Sequence, residues 1–264
     1  MSVIDNRCAI YFISLKSAPG RLNNFLKLAQ SFHLSPTIIE AIDGKSLSDA
    51  AVEQAGYQRV FTKTSRALTR AEVGCLLSHR KALTEFLNSD HEFSVILEDD
   101  AVFNADFVEL LPHLCAMNGN WEVLKLESRE IEPQMLQVMQ CHQYQVFSPR
   151  SPHLGSTAIL YTRSGAQKTL NMNQRFSVAF DTQFKWSWQH QLQIFQIYPS
   201  LVWEVNSNRA QSTIGRRAEK APFDFSTMLQ RRWNRWLCDW QKLRFARKLK
   251  AQFNELTDDT ISVP

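Results

Sequence analysis

The sequence predicts an α/β domain built on a mostly parallel sheet, extended at its C-terminal end by a basic helix. Three observations carry that expectation. Short apolar runs rich in β-formers alternate with helical periodicities from Ala9 to Tyr198, the pattern of strands joined by crossover helices. The 264 residues, 44% apolar and 21% charged, suit one large domain, or one domain plus an appendage, with a sizeable core. Charge is segregated: residues 216–250 hold 11 Lys/Arg and 3 Asp/Glu, a local +8, which leaves the rest of the chain at −4 within a net +4. The boundary is therefore placed between a body, 1–215, and a tail, 216–264.

Ala9 to Leu15 is an apolar run with Ser14 its one polar residue, expected to be a buried strand of a parallel sheet. It leads into Lys16 with no small-residue cleavage site, which argues against a signal peptide. Pro19-Gly20 ends it, and Leu22, Phe25, Leu26, Leu28 and Ala29 recur at helical spacing up to Phe32. Thr37 to Ile39 reads as a second strand, followed by the turn signal Asp43-Gly44. Glu72 to Leu87 is an amphipathic helix with Val73, Leu76, Leu77, Leu83, Phe86 and Leu87 on its apolar side. Phe93 to Leu97 is a strand that runs straight into Glu98-Asp99-Asp100. A helix around Phe107 to Met117 follows, then strands at Val123 to Leu126 and Thr157 to Tyr161 and a helix from Ser164. Asp181 to Gln189 reads as helical and Ile194 to Tyr198 as extended. Ligands of such sheets sit at the carboxyl ends of the strands.

Several classes drop out. The 8 glycines contain no G-x-G pair, so neither the dinucleotide fingerprint nor the Walker A loop is present. No apolar window approaches the 18 or so residues that span a bilayer. The five cysteines, Cys8, Cys75, Cys115, Cys141 and Cys238, are scattered and form no C-x-x-C. That spacing speaks against a disulfide framework and a cysteine-based zinc site, and for a reducing, cytoplasmic setting.

Glu98-Asp99-Asp100 crowds three carboxylates where a strand meets its ligand crevice. Adjacent negative charges repel unless a cation offsets them. One or two carboxylates plus substrate phosphates are the usual way to hold Mg²⁺ or Mn²⁺, which then neutralises a diphosphate leaving group. The alternative is a solvated acidic turn that caps the next helix.

The residues around the triplet resemble glycosyltransferase family 25, the family of bacterial lipooligosaccharide galactosyltransferases and animal collagen galactosyltransferases. The resemblance rests on Leu68 to His79 (LTRAEVGCLLSH) followed by Ser94 to Asp100 (SVILEDD). It extends to Ile13-Ser14-Leu15 with Arg21 and to Ile39 through Gly44. Downstream, Val123 to Leu126, Gly155-Ser156-Thr157-Ala158 with Tyr161, Ser164-Gly165-Ala166 and Asp181 fall in the family's order, so that residues 8 to 215 are covered. The resemblance implies an A-type glycosyltransferase fold and a UDP-sugar donor, most often UDP-galactose, transferred with inversion. It makes 1–215 the catalytic domain. The metal-binding Asp-x-Asp element of that fold corresponds to Glu98-x-Asp100 here, with Glu at the first position. Asp100 is then the firmest ligand for Mn²⁺ or Mg²⁺, and Glu98 or Asp99 lies nearer the ribose or the metal's waters.

Inverting transfer needs a base to take the proton of the attacking hydroxyl. Asp181 is the candidate, a lone acid among Phe176, Phe180, Phe184, Trp186 and Trp188, where desolvation would raise its basicity. The alternative is a helix N-cap. Glu72, Cys75 and His79 share one helix face; His79 is expected to donate to the diphosphate and Glu72 to orient a neighbouring group, or His79 to be a satisfied structural histidine. Arg21, at a helix start, is expected to contact uracil or pyrophosphate, or else to be an ordinary exposed arginine. The resemblance also places Ser14, Leu15, Ala41, Asp43, Gly44, Ser78, Gly155, Thr157 and Gln211-Ser212 at the donor site; Asp43-Gly44 reads equally as a simple turn.

In the tail, Ser226 is a plausible N-cap for a helix carrying Leu229, Trp233, Trp236, Trp240 and Leu243, flanked by eight Lys/Arg from Arg231 to Lys250. Trp with Lys/Arg on an amphipathic helix is the composition of an interfacial membrane binder. The same stripe would also serve to pack on the body. Nucleic acid is not expected as a partner, because no recognised binding motif accompanies this single helix. The combined expectation is an inverting UDP-galactosyltransferase extending a lipid-linked oligosaccharide, peripheral on the cytoplasmic face of the membrane. The rivals are transfer of glucose or another hexose by the same fold, and a catalytically silent nucleotide-sugar-binding scaffold.

Overall fold

A computed structural model describes residues 7–58, 67–117, 121–128, 136–141, 143–149, 152–205 and, in the tail, 240, 243–245, 247, 248 and 251. In chain order the elements are β1 (Cys8–Ser14), α1 (Pro19–Ser31), β2 (Thr37–Glu40), a 3₁₀ turn (Gly44–Ser46), α2 (Asp49–Gln54), α3 (Arg70–Leu87), β3 (Phe93–Leu97), β4 (Ala101–Phe103) and α4 (Ala105–Cys115). They continue with β5 (Val123–Lys125), β6 (Leu136–Cys141), β7 (Tyr144–Ser148), β8 (Ala158–Thr162), α5 (Arg163–Met172), α6 (Phe180–Gln183), a 3₁₀ run (Phe184–His190), β9 (Ile194–Tyr198) and β10 (Val202–Glu204).

Eight strands form one sheet in the order β2-β1-β3-β8-β5-β9-β7-β6. From the pairings, β1, β2, β3, β5, β6 and β9 run one way and only β7 and β8 oppose them. The mostly parallel α/β class expected from the sequence is thus observed. The central strands lack a solvent face. Ile10 and Phe12 of β1 enter one core cluster while Tyr11 and Ile13 enter the other, as the two-residue strand period requires. The first cluster packs under α1 and α4, with Phe12 stacked on Phe25 at 3.5 Å between ring centroids. The second packs under α3, α5 and α6, where Leu76, Leu83 and Phe86 are fully buried. The result is a three-layer α/β/α arrangement whose apolar strands bury side chains on both faces.

Local chemistry sets the element ends. Pro19 occupies the first turn of α1, where a missing N–H costs nothing. Thr69 and Glu72 make a reciprocal capping box at the start of α3. The turn at Gly44 docks against that same helix end so closely that a Cβ on Gly44 would lie 1.9 Å from the Arg70 carbonyl oxygen. Two differences from the sequence reading stand out. The helix expected over 181–189 is the single turn α6 followed by a 3₁₀ run. The three-residue strands β4 and β10, which pair antiparallel with Glu204 opposite Ala101, have no counterpart in it. In the tail, Phe245 packs against the first core cluster, while Trp240 is half exposed with the Arg244 guanidinium 5.7 Å from its ring centroid. Among the described residues no helix is long and apolar enough to cross a membrane.

Candidate active site

The acidic triplet turns the chain from β3 into β4 at the carboxyl edge of the sheet. The Glu98 amide donates to the Thr157 carbonyl at 2.9 Å and the Ala101 amide donates back to the Glu98 carbonyl at 3.0 Å. Within this tight turn the three carboxylates diverge.

Glu98 faces α3. Its Oε1 is 2.8 Å from His79 Nε2, accepts the Ser156 hydroxyl, and receives the Cys75 thiol at 3.8 Å. Burial alone would raise its pKa, but the contacts to His79, Ser156 and Cys75 outweigh burial and hold it below the ordinary carboxylate range. Burial, then the charges of Glu98 and Asp181, push the Cys75 thiol well above its usual value. His79 is fully buried and stacks on Phe180 at 4.1 Å between ring centroids.

Asp99 faces α1, where Arg21 Nη1 donates to its Oδ1 at 2.9 Å. Burial still raises its pKa despite Arg21. Among the described residues Asp100 has no such partner. Burial, followed by repulsion from Glu98, Asp99 and Glu204, pushes it up to about 7, with Arg21 opposing. Asp99 Oδ2 and Asp100 Oδ1 are buried and lack a hydrogen-bond partner among the described residues. Such oxygens cost free energy until something electropositive reaches them. Oxygen-only donors of this kind fit Mg²⁺ or Mn²⁺, so the residues present suit the cation that the sequence reading implies.

A loop preceding β8 ties this turn to Asp181. Gly155, at φ +115°, donates its amide to Asp181 Oδ2 at 3.0 Å. That φ is one that side-chain-bearing residues rarely adopt, and a Cβ there would also push the Glu127 carboxylate, 2.4 Å away, out of place. Ser156 next reaches Glu98, and the Thr157 hydroxyl donates to Glu204 Oε1 at 3.3 Å. Lys125, fully buried on β5, donates to the carbonyls of His153 and Gly155 and lies 3.9 Å from Glu127. Burial foremost raises the Glu127 pKa, Lys125 opposes it, and Glu98 and Glu204 reinforce it. Asp181 itself is partly exposed in the first turn of α6 and does not cap that helix, whose N-cap is Ala179.

The fold therefore brings together Arg21, His79, Glu98, Asp99, Asp100, Gly155, Thr157 and Asp181. Ser14 and Ala41 join the same sheet edge, with the Ala41 amide donating to the Ser14 carbonyl at 2.9 Å; Leu15 follows directly and accepts the Ala18 amide. Other expected site residues are placed in structural roles. Glu72, expected to orient a catalytic group, closes the capping box with Thr69 at 2.9 Å. Ser78 bonds the Ile42 amide and the Gly74 carbonyl. Asp43 caps the 3₁₀ turn through the Lys45 amide at 2.9 Å, and Gly44 packs on α3. Gln211 and Ser212 lie outside the described residues, as does most of the tail helix. Glu127, Glu204, Lys125 and Ser156 were missed as site residues. Glu127 carried a readable signal, an acid directly after an apolar strand as Glu98 is; Glu204 did not, because only the β4–β10 pairing brings it near.

A family model described as Glycosyltransferase family 25 (LPS biosynthesis protein) matches residues 8–184. Among curated relatives, procollagen galactosyltransferase 2 of Homo sapiens is 27% identical over 133 residues, 47% of this chain and 21% of that protein. Procollagen galactosyltransferase 1 of Danio rerio is 29% identical over 131 residues, 47% and 22%. The human inactive glycosyltransferase 25 family member 3 is 27% identical over 135 residues, again 47% and 22%. The chain spans about a fifth of the length of these relatives. Among solved structures, a Drosophila β-1,4-galactosyltransferase 7 variant in complex with manganese, UDP-Gal and xylobiose aligns at a TM-score of 0.41 with 10% identity, covering 84% of this chain and 79% of that one.

Proposed function

The chain belongs to glycosyltransferase family 25, and from that premise we propose that it transfers galactose from UDP-galactose, with inversion, onto a terminal sugar of a lipooligosaccharide or lipopolysaccharide. The observation that carries the reading is the acidic turn, where buried, unpartnered oxygens of Asp99 and Asp100 sit beside Arg21 at the carboxyl edge of the sheet. Six co-directional strands with that turn at their edge support an A-type glycosyltransferase fold.

Asp100 and Asp99 hold the divalent cation, Mn²⁺ or Mg²⁺. When bound, it supplies positive charge for the departing diphosphate. Arg21 adds a guanidinium at the same place, anchored by Asp99 and free to direct its other N–H groups at phosphate. Glu98, held by His79 and Ser156, fixes the turn. Asp181 takes the proton of the acceptor hydroxyl as it attacks the anomeric carbon, its carboxylate aimed by the Gly155 amide. The acceptor is lipid-linked, and the basic tail brings the enzyme to an anionic leaflet on the cytoplasmic side. Sedimentation with anionic liposomes at low salt, lost on truncation at Lys220, supports that last point; sedimentation unchanged by truncation would sink it.

The deciding experiment is a donor screen on the full chain with Mn²⁺ and truncated lipooligosaccharide, reading UDP release. The expected result is turnover greatest with UDP-galactose, abolished by chelation and restored by Mn²⁺. Greater turnover with UDP-glucose moves the donor assignment and leaves the mechanism. A relative of equal identity is named inactive, which favours a second reading, a nucleotide-sugar binder without turnover. UDP binding with no release from any UDP-sugar establishes that reading instead.

A further inference from the structure

On the α3 side of the acidic turn lies a group whose donor chemistry differs from that of Asp99 and Asp100. Cys75 and His79 are four residues apart on α3, so both leave the same helix face, and Glu98 meets them from the end of β3. One ligand atom from each lies within 4.8 Å of the others, and Glu98 Oε1 touches both Cys75 Sγ and His79 Nε2. Cysteine spacing alone spoke against a zinc site; the fold supplies the histidine and the carboxylate that such spacing does not reveal.

A thiolate, an imidazole and a carboxylate suit a zinc-class ion better than hard Mg²⁺ or Mn²⁺. Tetrahedral zinc, with bonds of about 2.0–2.3 Å, sets its ligand atoms roughly 3.4–3.6 Å apart. The present His79–Glu98 separation of 2.8 Å and Cys75–Glu98 separation of 3.8 Å bracket that spacing, with the whole group within 4.8 Å, so side-chain adjustments of about an ångström admit the ion. Stacking on Phe180 holds the imidazole plane. Nδ1 is buried without a hydrogen-bond partner among the described residues, so the proton can sit there when Nε2 is a ligand. Cys75 is partly exposed and the Glu98 side chain is 25% exposed, so an ion can reach the group from solvent.

We propose that Cys75, His79 and Glu98 form an inhibitory site for a zinc-class ion that shares the acidic turn with the catalytic cation. Binding releases the Cys75 thiol proton to solvent, moves the imidazole proton from Nε2 to Nδ1, and replaces the hydrogen bonds to Glu98 Oε1 with three metal–ligand bonds. The ion draws Oε1 from Ser156 and, with the thiol proton released, adds a net single positive charge beside Asp99 and Asp100, weakening their hold on a second cation. The inhibitory consequence rests on the proposed transferase function; the binding does not.

The test titrates cadmium into the metal-free full chain and follows the thiolate-to-cadmium charge-transfer absorbance, with zinc as competitor. The band is expected to saturate at one equivalent of thiolate-bound cadmium. Cys75→Ser is expected to lose the band and weaken zinc binding at least about 100-fold, while Asp100→Asn retains both. A band that survives Cys75→Ser, or one lost only in Asp100→Asn, overturns the site, as does a wild-type chain that binds nothing. A second measurement needs no variant: zinc should slow iodoacetamide alkylation of Cys75, mapped by peptide mass, and an unchanged rate overturns the proposal. Zinc should also suppress UDP release in wild type in the presence of excess Mn²⁺. Binding at Cys75 with unchanged UDP release overturns the inhibitory half. Absence of transfer by the zinc-free chain counts against the transferase reading alone, since cadmium reads the site without it.

Discussion

Glu98 and Asp100 are two residues apart on one turn, yet they have opposite surroundings. Glu98 meets His79, Ser156 and Cys75. Asp100 meets three other carboxylates and keeps a buried oxygen unpartnered. On the proposed reading the difference separates scaffold from ligand site. A carboxylate that the protein satisfies by itself fixes the turn, and one that it leaves in debt is where a cation from outside does the satisfying. The pH signs are opposite too. Glu98 ionises more readily folded than unfolded, so its stabilisation is present above its unfolded value of about 4.5 and is lost as pH falls through the lowered folded value. Asp100 binds its proton more tightly folded, near 7 against an ordinary 3.8, so the metal-free fold loses stability as pH rises between those values.

The strongest way to break this contrast is Asp100→Asn. Cation-dependent transfer should fall about a thousandfold or more, as expected when charge stabilisation of the leaving group is removed. The metal-free variant should at the same time melt no lower than wild type at pH 7, and its melting temperature should lose part of its decline between pH 4 and 7. A large drop in stability would mean that Asp100 is a structural ion pair. Mn²⁺ should stabilise the wild type more at pH 7 than at pH 5, because the ligand must be ionised.

Next in size is Asp181→Asn. The amide oxygen can still accept from Gly155, so the loop should stay in place and UDP should bind with unchanged affinity. Transfer should slow by about 10²–10⁴-fold, the range of general base catalysis. Loss of UDP binding would reassign Asp181 to holding the donor loop.

The scaffold side predicts the reverse balance. Ser156→Ala removes one hydrogen bond to an ionised, mostly buried carboxylate and should cost about 1–3 kcal/mol in chemical denaturation. Transfer, measured well below the melting temperature, should stay within about tenfold. Activity lost as completely as in Asp100→Asn would erase the distinction between the two ends of the turn.

Much of this arrangement was legible in the sequence. The strands β3 and β9 have the bounds that their apolar runs suggest, and an acid at the end of an apolar strand pointed to the right edge of the sheet. Short range was the limit. The strands β4 and β10 have three residues each, too few for a period to register, yet their pairing sets Glu204 beside Asp100 across about a hundred positions of chain. Lys125 lies inside the strand expected over Val123 to Leu126, where nothing in the apolar run marks it, although the fold buries it against the carbonyls of the loop beside the acidic turn. Acids were ambiguous for another reason. A helix cap and a catalytic carboxylate draw on the same residue types, and only the partner atoms separate them.

Glu72 tests that ambiguity with the smallest effect. It lies in the stretch resembling the family signature, and its side chain is buried, as a catalytic group's would be. But its Oε2 accepts from the Thr69 amide at 2.9 Å and the Thr69 hydroxyl at 3.1 Å. Glu72→Gln preserves a capping acceptor and should leave transfer within about twofold. Thr69→Ala removes the cap and should cost about 1 kcal/mol of stability, again with UDP affinity unchanged. If Glu72 were instead to hold or polarise a reacting group, the neutral amide would lower kcat by about 10²-fold or more while stability stayed constant. The two substitutions therefore give opposite patterns under the two roles, and the capping geometry commits to the first.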